Sequence, residues 1–166
     1  MGEEQLTMDQ ARLGEFFASV PMAAVASLRK SGAPLVVPLG YMYRDGAFYL
    51  GIREGRAGTQ RLRRDERVSI TVFDHEFPPS WVVAEGRARE IPDPGHAIKR
   101  ALLTPMMQRV GIDVEQYLAF WTSGKGRVVF RVEVDRMISM DGRRMQAMNF
   151  DQLRRNYDAT FGQNTG

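Results

Sequence analysis

The feature that most constrains the fold is a two-residue periodicity that begins just after Pro21. Apolar and polar side chains then alternate along short stretches, as they do in strands with one buried face. The predicted strands here are Met22–Arg29, Pro34–Tyr43 and Ala47–Ile52, the second with Leu35, Val37, Leu39, Tyr41 and Tyr43 on one face. The turns between them are Lys30-Ser31-Gly32 and Asp45-Gly46, the latter a strong signal for a two-residue hairpin. Strands joined this tightly are antiparallel, which excludes a βαβ unit.

A helix is expected before the first strand. Thr7 and Gln10 have the spacing of a capping box, and Leu6 is placed as its staple residue. Apolar side chains then recur at helical spacing. The predicted helix covers residues 7–18, is regular from about Met8 to Ala18, and buries Ala11, Phe16 and Phe17.

The rest of the chain predicts three further strands and three helices. The helices are expected at Gly55–Asp65, His96–Val110 (interrupted near Pro105) and Val114–Thr122, and the strands at Val68–Phe73, Trp81–Glu90 and Arg127–Met140. A weak helical pattern continues over residues 146–161. Six antiparallel strands of this spacing close most naturally into a small barrel. We therefore expect one mainly β (α+β) domain over residues 1–166, with the barrel at 22–140 and a tail at 141–166.

Composition excludes several kinds of site. The chain has no cysteine, so it forms neither disulfides nor thiolate metal sites. Its two histidines, His75 and His96, are too few for a three-histidine zinc site. The apolar runs are too short to span a bilayer, and the N-terminus is acidic where a signal peptide would be basic. We therefore expect a cytoplasmic protein that does not bind membranes.

The charge balance says little about partners. The chain has 23 basic and 20 acidic side chains, and a net charge of +3 is too small to indicate a polyanionic partner. No Phe, Tyr or Trp lies between Arg53 and Arg67 to stack on bases. A basic nucleic-acid-binding barrel is therefore the most distant alternative, and we expect no nucleic-acid partner.

A candidate phosphate site lies where the third strand gives way to the short helix. Arg53 and Arg56 flank Gly55 there. A helix N-terminus offers unpaired N–H groups and a partial positive charge, and two guanidinium groups can clamp the same phosphate. The other interpretation is a solvated helix surface. It is favoured for Arg61, Arg63 and Arg64, with Glu54, Asp65 and Glu66 as their partners.

The stretch from about Ala23 to Glu90 resembles the split β-barrel flavoproteins related to pyridoxamine 5′-phosphate oxidase. The resemblance rests on VASLRKSGAPLVVPLGYMYRDGAFYLGIREGRAGTQRLRRDERVSITVF and on WVVAEGRARE. In order, these contain an SG turn, a strand with Val37-Pro38-Leu39, a DG hairpin, a phosphate-binding turn, RRDERVSI and a V-x-x-x-G-x-A strand. The order of these motifs, more than any one of them, carries the resemblance.

The resemblance implies a split barrel that forms a homodimer with two cofactor sites at the dimer interface. The cofactor would be FMN, or the deazaflavin coenzyme F420, and the activity hydride transfer to or from a small organic substrate. The implied cofactor-binding residues are Val37, Pro38 and Leu39 at the ring, Ile52 and Arg53 beside the ribityl chain and phosphate, and Arg56, Thr59 and Gln60 in the phosphate pocket. Ser80 and Trp81 would also reach the site, in one arrangement from the partner subunit.

Two departures from the family pattern matter. The family commonly has a lysine one or two positions after the arginine that matches Arg56, where this chain has Ala57 and Gly58. Losing that cation removes a charge-assisted hydrogen bond worth about 1.5–3 kcal/mol, which leaves two alternatives, replacement of the lysine by Arg53 or weaker cofactor binding. The chain also lacks the Arg- and His-bearing substrate segment of the vitamin B6 enzyme, because Arg143 and Arg144 are not flanked in that way. Oxidation of vitamin B6 is therefore not expected.

The residues leave two classes of function open, an oxidoreductase and a non-catalytic carrier of flavin, haem or another ligand. Flavin chemistry belongs to the cofactor, so an enzyme of this kind needs no acid–base pair of its own. Tyr41 or Tyr43 could donate a proton, although a strand tyrosine is more often a packing residue. The sequence therefore assigns no catalytic residue and no metal ligand.

Overall fold

Six strands and five helices make up the part of the chain that the computed structural model describes, residues 6–148, 151, 152 and 154. The strands are β1 (Met22–Leu28), β2 (Pro34–Arg44), β3 (Ala47–Arg53), β4 (Arg67–Phe73), β5 (Trp81–Ile91) and β6 (Arg127–Met140). The helices are α1 (Gln10–Ser19), α2 (Ala57–Arg64), α3 (Ala97–Val110), α4 (Val114–Thr122) and α5 (Gly142–Gln146). Most of the predicted helical tail at 146–161 lies outside the described residues.

The strands form a closed antiparallel barrel in the order β1-β2-β3-β6-β5-β4. Asp45 and Gly46 have φ angles of 52° and 75°, the left-handed conformation that a type I′ hairpin turn requires at both central positions. The expected hairpin and the expected barrel with flanking helices are both confirmed.

The long strand β6 closes the barrel by pairing with β3 on one side and β5 on the other. A bulge between Glu85 and Gly86 shifts the register of the β5 pairing. A Cβ atom on Gly86 would stand 2.0 Å from the Glu133 carbonyl oxygen. Close backbone approach at the bulge therefore explains the glycine of the V-x-x-x-G-x-A stretch.

Helix α1 covers one end of the barrel, called here the α1 end. Phe16 and Phe17 are buried, and the Phe17 ring lies 4.3 Å from the Tyr43 ring and 5.2 Å from the Phe48 ring between centroids. The Tyr41 hydroxyl donates to the Val20 carbonyl oxygen at 2.8 Å, and burial raises the Tyr41 pKa. Tyr41 is therefore a packing residue that ties β2 to the end of α1.

The predicted start of α1 is wrong by two residues. The N-cap is Asp9, whose carboxylate accepts a hydrogen bond from the Arg12 backbone N–H at 2.9 Å, so the helix begins at Gln10 and Thr7 is not its N-cap. A carboxylate is a stronger cap than the threonine hydroxyl. The buried face also differs from the prediction, because Leu13 is buried with Phe16 and Phe17 whereas Ala11 is exposed.

The predicted interruption near Pro105 is also wrong, because α3 continues through it. Proline removes one backbone hydrogen bond from a helix interior. Here the turns on both sides of Pro105 are held by buried side chains, Leu102 and Leu103 before it and Met107 after it. Tertiary packing therefore outweighs the local preference.

Helices α3 and α4 pack on the outer surface of β2 and β3. This contact depends on two glycines, since a Cβ on Gly40 would stand 2.9 Å from Met106 Sδ and a Cβ on Gly51 would stand 2.2 Å from the Trp121 ring. None of the helices in the described residues is both long enough and apolar enough to cross a membrane.

Candidate cofactor site at the α2 end of the barrel

A tight turn connects β3 to α2 at the end of the barrel opposite α1, called here the α2 end. Gly55 has a φ angle of 76°, and α2 then begins at Ala57 with Arg56 as its N-cap. The buried Thr59 hydroxyl donates to the Arg53 carbonyl oxygen at 2.8 Å. This bond folds the start of the helix back onto the end of the strand. Thr59 thus has a structural partner in addition to its predicted role at a phosphate.

Four basic side chains meet at this end, and we call them the cationic cluster: Arg53, Arg56, Lys125 and Arg127. Arg53 stands directly opposite Arg127 in the β3–β6 register. Lys125 belongs to the turn between α4 and β6, and its Nζ atom lies 3.9 Å from where a Cβ on Gly55 would stand. Arg53, Arg56 and Lys125 are exposed, and Arg127 is half-buried.

Within the described part of the chain, no carboxylate lies within ion-pair distance of the cationic cluster. Glu54 is the nearest in sequence, but both of its oxygens accept hydrogen bonds from Arg63, at 2.9 and 2.7 Å. Arg63 lowers the Glu54 pKa through these bonds, with a small further effect from Lys125. The cluster is therefore a site of positive charge that the described carboxylates do not pair.

The other arginines of α2 are engaged in structural contacts. Arg63 bridges Glu54 and Glu90, as the surface interpretation expected for Glu54. Arg61 instead donates to the Ser27 hydroxyl at 3.1 Å, and Arg64 donates to the Leu28 carbonyl oxygen. The predicted acidic partners have other ion pairs, Asp65 with Arg67 and Glu66 with Arg87 and Arg89.

Arg127 is a candidate site residue that the sequence analysis missed. Its guanidinium lies 4.5 Å from the centroid of the Trp121 ring, and it donates to the Gly51 carbonyl oxygen at 3.4 Å. Burial lowers the Arg127 pKa, opposed by Tyr117 and assisted by the nearby Arg53 and Arg56. Only the β3–β6 register could have indicated it, since nothing near Arg127 in sequence resembles a phosphate motif.

The predicted phosphate-side residues are brought together at the α2 end. Ile52 is buried and Gln60 is exposed one turn into α2, so both adjoin Arg53, Arg56 and Thr59. The predicted ring-lining residues lie further along the barrel on β2. Pro38 faces outward opposite Ala24, while Val37 and Leu39 are half-buried.

Ser80 and Trp81 lie at the α1 end instead. Arg53 pairs with Arg127 at the first residue of β6, whereas Trp81 pairs with Met140 at its last residue. The 14 residues of β6 span roughly 40 Å along the strand. Ser80 is buried, and its hydroxyl oxygen accepts a hydrogen bond from the Gly142 N–H at 3.1 Å. One chain therefore does not bring Ser80 and Trp81 to the cationic cluster.

A mostly apolar surface extends across five strands of the barrel, interrupted by the exposed Glu85 and Arg136, which stand opposite each other in the β5–β6 register, and we call it the apolar barrel face. Residues directly opposite in an antiparallel register share a face. Three rows of such pairs run across the strands: Val36 with Ala26, then Pro38 with Ala24, Thr71, Val83 and Ile138, and finally Phe73 with Trp81 and Met140. The large side chains Met22, Val36, Phe73 and Ile138 on this face are 45–57% exposed. Exposed apolar surface of this extent is typical of a protein–protein contact.

A separate cleft of about 220 Å³ lies between α1, β2 and α3. Its lining includes Phe17, Tyr43, Met106 and Arg109. Arg109 also donates to the Ala18 and Ser19 carbonyl oxygens at 2.9 and 3.0 Å, which caps the C-terminal end of α1. None of the predicted cofactor-binding residues is among the described residues that line this cleft.

Residues 10–141 match the family described as "Pyridoxamine 5′-phosphate oxidase". No curated protein matches the chain.

Among solved structures, a conserved hypothetical protein from Mycobacterium tuberculosis is similar with a TM-score of 0.72 at 22% identity, over 90% of this chain and 95% of that one. A FAD-binding protein from Mesorhizobium loti has a TM-score of 0.58 at 24% identity, over 80% and 93% of the two chains. An F420 reductase has a TM-score of 0.60 at 18% identity, over 74% and 93%. At these identities the likeness establishes the shared fold.

Proposed function

Because the chain belongs to the pyridoxamine 5′-phosphate oxidase family, we propose that it is an oxidoreductase that binds FMN or the deazaflavin coenzyme at the α2 end of the barrel. The observation that carries this proposal is the cationic cluster, four basic side chains without a carboxylate partner among the described residues. Two solved structures of the same fold, a FAD-binding protein and an F420 reductase, support a cofactor of this class.

The residues present fit the phosphate of such a cofactor. A phosphate group carries close to two negative charges at neutral pH and has several strong acceptor oxygens. Arg53 and Arg56 stand at the start of α2, where backbone N–H groups and the helix dipole favour an anion. Guanidinium groups are well suited to bidentate phosphate binding. The phosphate would therefore lie beside Gly55, with the flavin ring directed along β2 toward Pro38.

A homodimer is part of the proposal, because its site needs two chains. The apolar barrel face would be buried between the subunits, and Pro38 and Trp81, both predicted site residues, lie on it. Since Trp81 and Arg53 are at opposite ends of β6, a two-fold arrangement can place Trp81 of one subunit near the ring bound by its partner. Burying this face would also exclude water from the ring.

The chain's own part in the reaction is to bind, orient and shield the cofactor. The bound flavin or deazaflavin would supply the hydride-transfer chemistry itself. Tyr41 is committed to the Val20 carbonyl oxygen and is not a proton donor to substrate in this proposal. Arg144, near the tail, pairs with Asp9 at 3.3 Å at the α1 end, which supports a small organic substrate other than a vitamin B6 phosphate.

Titration of the purified protein with FMN, riboflavin, the deazaflavin coenzyme and haem tests the proposal. We expect quenching of flavin fluorescence by FMN binding, with riboflavin bound at least tenfold more weakly because it lacks the phosphate. If the deazaflavin coenzyme binds and neither flavin does, the cofactor is the deazaflavin coenzyme and the proposed function stands. Binding of haem alone, with its Soret absorption, would reject the proposal in favour of the carrier. Reduction of the bound cofactor without turnover of any acceptor would also favour a carrier.

A further inference from the structure

We propose that the turn between α4 and β6 completes the phosphate site, with Lys125 as the cation that the start of α2 lacks at Ala57 and Gly58 and with Arg127 as a second contributor. This inference rests on the proposed cofactor function. It assigns to the site two residues that lie about 70 positions further along the chain than Arg53 and Arg56.

The two turns are joined directly. The Glu54 backbone N–H donates to the Gly126 carbonyl oxygen at 3.0 Å, so the segment that carries Lys125 is fixed against the segment that carries Gly55. The turn itself is tight. Gly124 and Gly126 have φ angles of 63° and 64°, and the Gly126 N–H donates to the Ser123 carbonyl oxygen at 3.0 Å. Lys125 therefore leaves a constrained backbone at a defined place.

The position of Lys125 suits a ligand held at Gly55. Its side chain passes over this glycine, with Cδ 3.7 Å and Nζ 3.9 Å from where a Cβ would stand. The nearest acid, Glu54, is occupied by two hydrogen bonds from Arg63. An ammonium group is a compact, mobile charge with three donors, and it can therefore complete the coordination of a phosphate that Arg53 and Arg56 hold from the other side.

Arg127 is held in place by α4. The edge of the Trp121 ring points at Gly51, where no side chain intervenes, and the Arg127 guanidinium stacks over the Trp121 ring at 4.5 Å. This stacking keeps Arg127 beside Arg53 in spite of their like charges. The α3–α4 segment thus positions one cation of the cluster.

The test compares phosphate recognition in two matched lysine variants. Lys125→Met removes a charge at the cationic cluster, and Lys30→Met removes one from an exposed turn elsewhere at the same end of the barrel. We expect Lys125→Met to weaken FMN binding about tenfold and to leave riboflavin binding unchanged. Lys30→Met should change neither. Thermal unfolding of both variants without ligand checks that each keeps its fold.

A rescue variant makes the assignment specific. Gly58 lies in α2, and a Cβ there would make only ordinary contacts, 3.5 Å from Ile52 Cγ2 and 3.7 Å from the Arg61 guanidinium. Gly58→Lys in the Lys125→Met background would return one cation to the start of α2. We expect it to restore most of the lost FMN affinity.

The outcomes separate this inference from the function on which it rests. If the wild-type protein binds neither FMN nor the deazaflavin coenzyme, or binds FMN and riboflavin equally well, the proposed function fails. If it prefers FMN but Lys125→Met retains the full preference, the role of Lys125 is wrong while the function stands. Should only the deazaflavin coenzyme bind, the same variants are compared with that ligand, and an unchanged affinity in Lys125→Met rejects the inference.

Discussion

Arg53 and Arg127 face each other in directly paired positions of the β3–β6 ladder. Like charges placed in this way destabilise an antiparallel pair, and no described carboxylate forms an ion pair with either side chain. The ligand-free barrel therefore contains a repulsion that a bound anion would relieve. Such a local cost is typical of a binding site, where function opposes stability.

Arg53→Gln should stabilise the ligand-free protein by about 0.5 kcal/mol, because it removes the repulsion with Arg127. The same variant should lose most of the rise in unfolding temperature that FMN produces in the wild type, because one phosphate ligand is gone. Differential scanning fluorimetry with and without FMN measures both effects. A fall in ligand-free stability would show that Arg53 has a stabilising partner instead.

Arg56→Ala should weaken FMN binding about thirtyfold, equivalent to about 2 kcal/mol, through the loss of a charge-assisted hydrogen bond near the N-terminus of α2. Riboflavin, which has no phosphate, should bind wild type and variant alike. Arg87→Ala is the matched control, since Arg87 pairs with Glu66 on the outside of the barrel. Fluorescence titration that finds equal FMN affinity in Arg56→Ala and wild type would place the phosphate elsewhere.

The protein should be a dimer that buries the apolar barrel face, with an interface on the order of 2,000 Å². Ile138→Glu introduces a further charge into this face and should give a monomer with weakened FMN binding. Val110→Glu is its control, because Val110 is 62% exposed at the end of α3, outside the face. Light scattering at micromolar concentration distinguishes the two states. If the wild-type protein is a monomer, the proposal that two chains form the cofactor site is wrong.

Tyr41→Phe should lower the free energy of unfolding by about 1 kcal/mol, because the Val20 carbonyl oxygen loses its donor. Tyr43→Phe should be close to neutral, since among the described residues the Tyr43 hydroxyl has no hydrogen-bond partner. Urea unfolding measures both. If a substrate is found, turnover should survive in Tyr41→Phe. A loss of turnover without a loss of stability would instead give Tyr41 a role in catalysis.

A buried ion pair should make the stability of α3 depend on pH. The Asp93 carboxylate accepts hydrogen bonds from the Lys99 ammonium at 3.3 Å and from the Ile98 and Lys99 N–H groups at 3.1 Å. Burial alone would raise the Asp93 pKa, but these donors outweigh it and lower the pKa below the model-peptide value of 3.8. This contribution is therefore complete above the unfolded-state pKa and is lost as pH falls from about 4 through the lower folded-state value.

Asp93→Asn tests this dependence. At pH 7 it should destabilise the protein by about 3 kcal/mol, because Lys99 is left as an unpaired buried charge. The difference between wild type and variant should shrink below pH 4. Lys99→Met added to Asp93→Asn should recover part of the loss. Unfolding curves measured at pH 7 and at pH 3 give the change in the free energy of unfolding for each protein. If that change is the same in wild type and in Asp93→Asn, the role of this pair is contradicted.

Local chemistry allowed much of the fold to be predicted. Strand alternation and turn residues act within a few positions, so the bounds of α4 and β6 and the Asp45-Gly46 hairpin follow from the residues alone. The start of α1 and the continuity of α3 through Pro105 were wrong, since they depend on competing caps and on packing against distant side chains. The same limit applies to the site. Local sequence indicated Arg53 and Arg56 beside Gly55, but it did not indicate Arg127, which the β3–β6 pairing brings to them.

What the sequence by itself determined was the alternation that makes six strands and the arginines beside a helix start. Only the tertiary structure decided which strands distant in sequence are neighbours, and with that the composition of the site. Pairing of β3 with β6 places Lys125 and Arg127 beside Gly55 and Arg53, and the same pairing puts Trp81 at the far end of β6. Register arises from closing the whole barrel on its core, a non-local condition that no short stretch of sequence contains.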